Sequence, residues 1–203
     1  MSVTVTRLYD DYSDARNAVD DLEQIGIPHS HISIVANNAD HAHGEHTKAV
    51  QDAGAGAGIG AAVGGVGGLL AGLGMLAIPG LGPVVAAGWL ASTALGAGVG
   101  LVAGGTAGGL IGALQKEGVN ERDAHIYSEG VRRGGSLVSA KVDDEMASEV
   151  EAILDRHDPV DPKARGRAYA ETGWTRFDEA AAPYDAAQIA GERSLHTRND
   201  SRV

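Results

Sequence analysis

The chain contains no cysteine. A disulfide framework, a thiol nucleophile and a thiolate zinc site are therefore excluded, and the composition fits a reducing compartment. Basic residues are in the minority, 16 Lys and Arg against 27 Asp and Glu, for a net charge of −11. A general affinity for nucleic-acid phosphate is excluded on that balance. The first seven residues lack a charged region followed by an apolar one, so no secretory signal is expected. The largest gap is in charge itself. Residues 53–115 are 63 consecutive positions without one charged side chain, and 21 of them are glycine.

Within that block glycine recurs every fourth residue in two sets. Gly56, Gly60, Gly64, Gly68 and Gly72 form the first, and Gly96, Gly100, Gly104, Gly108 and Gly112 the second. On a helix, residues i and i+4 share a face, so each set would bare a stripe of backbone. Glycine costs about 1 kcal/mol relative to alanine inside a helix. Twenty of them cost on the order of tens of kcal/mol, which only close packing or a lipid environment offsets. Such stripes suit helices pressed together. The spacing predicts one helix over residues 54–77 and a second over 84–114, joined by the turn Ile78-Pro79-Gly80-Leu81-Gly82-Pro83. Leu69, Leu70, Leu73, Leu110 and Ile111 fall on the predicted apolar exterior. Either arm is long enough to cross a bilayer core of about 30 Å. Three readings stand: a membrane-inserted hairpin, a soluble hairpin buried in a homo-oligomer (a shell or filament), and a disordered low-complexity segment. Two chance matches to G-x-G-x-x-A, at Gly72 and Gly98, lack the preceding strand and the partner residues of a nucleotide site.

The flanks are acidic. Residues 1–52 hold 3 basic and 9 acidic groups, and residues 116–161 hold 6 and 12, each a net −6. Val3, Val5 and residues 7–9 read as a strand. A helix follows, with Ala15, Ala18, Val19, Leu22 and Ile25 on one face, and ends at Gly26. Ile32, Ile34 and Ala36 mark a second strand. After the glycine block a helix over residues 121–133 carries Ala124, Tyr127, Ser128 and Val131 inward. Residues 137–142 form a strand, Asp143 and Asp144 open a helix bearing Met146, Val150, Ile153 and Leu154, and Pro159-Val160 begins a last strand. The two strand–helix units align at an offset of 132. The expectation is an α+β, ferredoxin-like sandwich built from a duplicated β-α-β unit, with the glycine-rich antiparallel helical hairpin inserted. The divisions are 1–48 and 119–161 for the two halves of the head, 49–118 for the hairpin, and 162–203 for a tail that is partly disordered, from residue 193 onward.

No Ser/His/Asp framework or acid pair emerges, so no catalytic residue and no cofactor is expected. His41, His43 and His46, beside Asp40 and Glu45, are weak metal candidates, but the setting is that of a solvated linker. The tail holds Tyr169, Trp174, Phe177 and Tyr184, half of the eight aromatics. Trp174, Phe177, Pro183 and Tyr184 read as a docking motif, for the chain's own head or a neighbouring subunit.

Several segments resemble a known family. Leu8-Tyr9-Asp10-Asp11-Tyr12, Ala18-Val19-Asp20-Asp21-Leu22, Gly26-Ile27-Pro28 and Ile32-Ser33-Ile34-Val35-Ala36-Asn37 are similar to the start of the general stress protein 17M-like (YflT-type, heat-induced stress protein) domain. The glycine block around Pro79-Gly80-Leu81-Gly82-Pro83 resembles the hydrophobic insertion that many such proteins carry. Tyr127-Ser128-Glu129-Gly130-Val131-Arg132-Arg133-Gly134-Gly135 resembles the segment after it, and the tail is similar to that of long members. The resemblance implies induction under stress and no catalysis. The resulting expectation is a non-enzymatic bacterial stress-response protein, cytoplasmic and associated with the inner membrane, with a ligand-binding sensor in the α+β head as a distant alternative. Its partners would be copies of itself and the lipid bilayer.

Overall fold

A computed structural model describes residues 2–40, 68–71, 73–93 and 109–200. Five strands are β1 (Ser2–Tyr9), β2 (Ile32–Asn37), β3 (Gly74–Ile78), β4 (Gly82–Gly88) and β5 (Ser136–Asp143). The helices are α1 (Tyr12–Gln24), α2 (Gly68–Ala71), α3 (Gly109–Lys116), α4 (Glu121–Arg132), α5 (Asp144–Asp155), α6 (Pro162–Glu171) and α7 (Ala186–Asp200). The strands form one antiparallel sheet in the order β1-β5-β2-β4-β3. The fold is mixed α+β, with helices on both faces of the sheet.

Strand periodicity assigns the two cores, because alternate residues point to opposite faces. Val5, Ile32, Ile34, Val138 and Ala140 face α1 and α5. Leu8, Val35, Val84, Ala86 and Leu137 face α3 and α4. Central β2 is covered on both sides and all six of its residues are buried. That leaves two buried polar side chains on the α3/α4 side, and both are bonded, as burial demands. The Ser33 hydroxyl donates to Ala87 O (2.8 Å) and accepts from Leu90 N (3.1 Å). Asn37 Nδ2 donates to Leu81 O (3.4 Å) and Arg132 O (3.3 Å), and its Oδ1 accepts from Ala39 N (2.9 Å).

The head helices follow their sequence signals. Ala15, Ala18, Val19 and Leu22 of α1 are buried, while Ile25 is the C-cap and partly exposed. Helix α4 starts at Asn120, whose side chain accepts from Asp123 N, and buries Ala124, Tyr127, Ser128 and Val131. Helix α5 buries Val150, Ile153 and Leu154, with Met146 half-buried. Pro159-Val160 is not a strand. It keeps one sheet-like bond, Val160 N to Leu8 O at 2.7 Å, on the outer edge of β1.

The helical reading of the glycine block is overturned at its centre. Residues 74–78 and 82–88 are strands, not the end of one helix and the start of another. The reversal between them lies where the prolines and glycines place it. Leu81 N bonds Ile78 O at 3.1 Å, with Pro79 and Gly80 as the central residues and Gly80 at φ +74, the requirements of a type II turn. Two forces defeat the helix. Glycine has poor helix propensity, and Val84 and Val85, β-branched, find an open sheet edge on β2. Residues 68–71, 89–93 and 109–116 are helical. Leu69, Leu110 and Ile111, expected on an exterior, are buried in the head. No helix among the described residues is long and apolar enough to cross a membrane.

Candidate functional site

The most elaborate polar arrangement lies where the C-terminal segment crosses the end of the sheet. Helix α6 starts at Asp161, whose side chain accepts from Lys163 N (2.8 Å), with Pro162 in the first turn, as helix N-termini favour. Arg165 then projects back to Asp10 and grips it with two bonds of 2.8 and 2.6 Å. Tyr169, one turn further, is buried.

Arg133, just past α4, is the hub. Its guanidinium carbon stands 4.3 Å from the Tyr169 ring centre and 5.7 Å from that of Tyr184. Its Nε donates to Glu129 Oε1 at 2.7 Å, and its Nη1 lies 3.4 Å from Glu192. Arg132 stacks over Tyr184 at 5.0 Å, donates to Ala182 O at 2.8 Å and pairs with Glu129 at 3.5 Å. Glu129 is 1% exposed, so a buried carboxylate serves two guanidinium groups. Burial opposes the charge of Arg133, yet the hydrogen bond and charge of Glu129 outweigh it and hold its pKa above the usual arginine value. Burial also pushes the Tyr169 hydroxyl up to about 12, against the opposing charge of Arg165. That phenol stays protonated at neutral pH. The arrangement's chemistry is recognition: guanidinium planes between aromatic rings, held by carboxylates.

The residues of the predicted docking motif all lie on the connection between α6 and α7. Phe177 is buried with Ile78 and Leu81. Trp174 meets Tyr169 edge to face, 5.5 Å between ring centres. Pro183 sits over the turn, its Cβ 2.7 Å from where a Cβ on Gly82 would stand. Tyr184 covers Arg132 and Arg133 as described. Helix α7 then fastens its own end. Ile189 is fully buried, and Arg193 donates to Gly134 O (3.3 and 3.1 Å) and to Asp40. Residues 193–200, expected to lack structure, continue the helix.

Of the glycine positions predicted for helix packing, Gly68 opens α2 and Gly112 lies half-buried in α3. Gly56, Gly60, Gly64, Gly72, Gly96, Gly100, Gly104 and Gly108 fall outside the described residues, as do His41, His43 and His46. Among the described residues no group of three His, Asp or Glu could hold a metal ion. Sequence reasoning missed Glu129, Asn37 and the Arg165–Asp10 pair. A hint was there for the first: Glu129 sits on the inner face of α4, between Ser128 and Gly130.

A family model described as the heat induced stress protein YflT domain matches residues 4–78. That segment is similar to the YflT domain. The match begins in β1, runs through α1 and β2, and ends with β3 at the hairpin turn. It points to a stress-response protein. The YflT segment is not self-sufficient in the sheet. Its β1 and β2 do not pair with each other, because β5, outside the match, lies between them and bonds to both. Neither the curated proteins nor the solved structures yield a match to the chain.

Proposed function

We propose that this is a non-enzymatic stress-response protein that self-associates through its uncharged glycine-rich segment, presented by the α+β head. One observation carries the reading: the block meets the head on opposite faces of the sheet. Leu69 of α2 packs with α1 and α5. Leu110 and Ile111 of α3 pack with α4 on the other side. The sheet therefore stands between the anchored ends of the two glycine sets. A set finds its match on a second copy more readily than within its own chain. The acidic flanks keep the head itself solvated.

The location that goes with this reading is the cytoplasm, with the inner membrane as a second surface for the same segment. For the head, the reading is a ferredoxin-like unit of β1, α1, β2, β5 and α5. The antiparallel order β1-β5-β2 supports it. So does the Val160–Leu8 bond, which lies where a fourth strand would run.

The test is to express the chain without detergent, fractionate the lysate and measure the mass of the soluble form by light scattering. The expected result is a soluble oligomer that Gly64→Leu with Gly104→Leu dissociates. A monomeric parent, or an oligomer unmoved by both substitutions, overturns self-association through this segment. Recovery only in the membrane pellet would favour the lipid partner.

A further inference from the structure

We infer that residues 162–200 form an exchangeable unit, and that their seat on the head accepts the same unit from a second copy of the chain. Phe177 enters the α3/α4 core beside Ile78 and Leu81, and the other contacts between unit and head are those of an interface. Phe177 is the one deeply buried anchor on the connection, and Ile189 its counterpart on α7. The rest is cation–π stacking on Arg132 and Arg133, the Arg165–Asp10 fork, and the bonds of Arg193 to Gly134 O and Asp40. Glycines let the backbones approach. A Cβ on Gly80 would meet Glu179 Cα at 2.8 Å, and one on Gly134 would meet Ile189 Cγ2 at 2.6 Å. The seat fits this segment closely at Gly80, Gly82 and Gly134.

One short connection joins unit to head. Helix α5 ends at Asp155 on one face of the sheet, and α6 begins at Pro162 against α4 on the other. Between them the chain rounds the edge of β1 at Val160. Asp158 makes the turn at φ 55, the only positive φ of a non-glycine residue among those described. A left-handed backbone costs a residue with a side chain, aspartate less than most, and a short hinge that carries such a cost favours exchange between copies. Opening it remakes every contact on a neighbour, so the exchanged dimer costs no interface. Intramolecular closure competes through an effective concentration in the millimolar range. Exchange therefore grows with protein concentration, and with any change that disfavours the closed hinge.

The lack of cysteine makes the test clean. Asp40→Cys is placed in one batch of full-length chain and Arg193→Cys in another, and the batches are mixed and treated with a short bismaleimide. A chain carrying both substitutions should link within itself, which reports a correctly seated unit. The mixture should give covalent heterodimers whose yield rises with concentration. Asp158→Gly relaxes the hinge and should lower that yield about threefold, the order of magnitude of a left-handed strain relieved. Asp158→Pro cannot adopt the closed φ and should raise it. Linking confined to single molecules at every concentration overturns the proposal. So does a heterodimer yield indifferent to both hinge substitutions, since proximity through the glycine-rich segment would give that result.

Discussion

Phe177 occupies the space that a side chain on Gly80 would need: its Cζ lies 2.8 Å from the position a Cβ there would take. The turn thus serves two purposes at once. It reverses the chain from β3 to β4, and it offers a bare backbone on which the C-terminal segment rests. A residue whose φ of +74 already favours glycine is held to glycine a second time by its neighbour.

Gly80→Ala should therefore cost on the order of 2–4 kcal/mol, from left-handed strain added to a steric clash. The loss should appear first as freedom of the C-terminal segment. Limited proteolysis is expected to cut between residues 174 and 185 at a protease concentration that spares the parent. An uncut segment with an unchanged melting temperature would refute the seat described for Phe177.

Asn37→Ala should destabilise the head by about 2–3 kcal/mol, because it removes three bonds and leaves buried carbonyls of Leu81 and Arg132 without that donor. Urea unfolding would measure it. Asn37→Asp should be no better than alanine, since a carboxylate cannot donate to either carbonyl.

Glu129→Ala should cost about 3 kcal/mol, the order expected when one partner of a buried ion pair is removed. Two guanidinium groups lose their carboxylate at once. Arg133 then holds Tyr169 less firmly, so the emission of Trp174, which touches that ring, should shift with the substitution. A stability loss without any change in tryptophan emission would show that Arg133 keeps its place by other contacts.

Alkali should unfold the head from about pH 10 upward. Burial raises the pKa of Tyr127 and of Tyr169 to about 12 from an ordinary 10.0, and raises Tyr9 as well. A phenol whose pKa is higher in the folded state stabilises fully below the unfolded value. That contribution is lost as pH climbs toward the folded one. Stability should be flat with respect to these groups below pH 9 and fall between about 10 and 12. Phenolate absorbance rising only with unfolding would confirm the link; titration of all five tyrosines near 10 in the folded protein would break it.

Local signals that contact elements directly were legible in the sequence. The spacing of Ala15, Ala18, Val19 and Leu22 marks a helix face because it depends only on helical geometry. The Pro79-Gly80 reversal is equally local, fixed by a proline φ and a glycine at positive φ. Residues 74–88 were not legible, since a short apolar run satisfies helix and strand alike. The choice belonged to the vacant edge of β2, whose residues lie about 50 positions from their β4 partners in the chain. The Arg133 hub was hidden for the same reason: Glu129, Tyr169, Tyr184 and Glu192 meet there only after α6 and α7 have crossed the sheet edge.

The sequence by itself determined the acidic head, the helix faces, the turn and the aromatic motif in the tail, and it excluded thiol chemistry. Each of these follows from composition or from contacts within a few residues. Tertiary structure alone decided that the glycine block contributes two strands to the sheet, that β5 separates β1 from β2, and that the tail's aromatics sit on Arg132, Arg133 and the Gly80 turn. Those outcomes depend on which surfaces remain unpaired once the sheet has formed, and burial and hydrogen bonding between distant segments settle that competition.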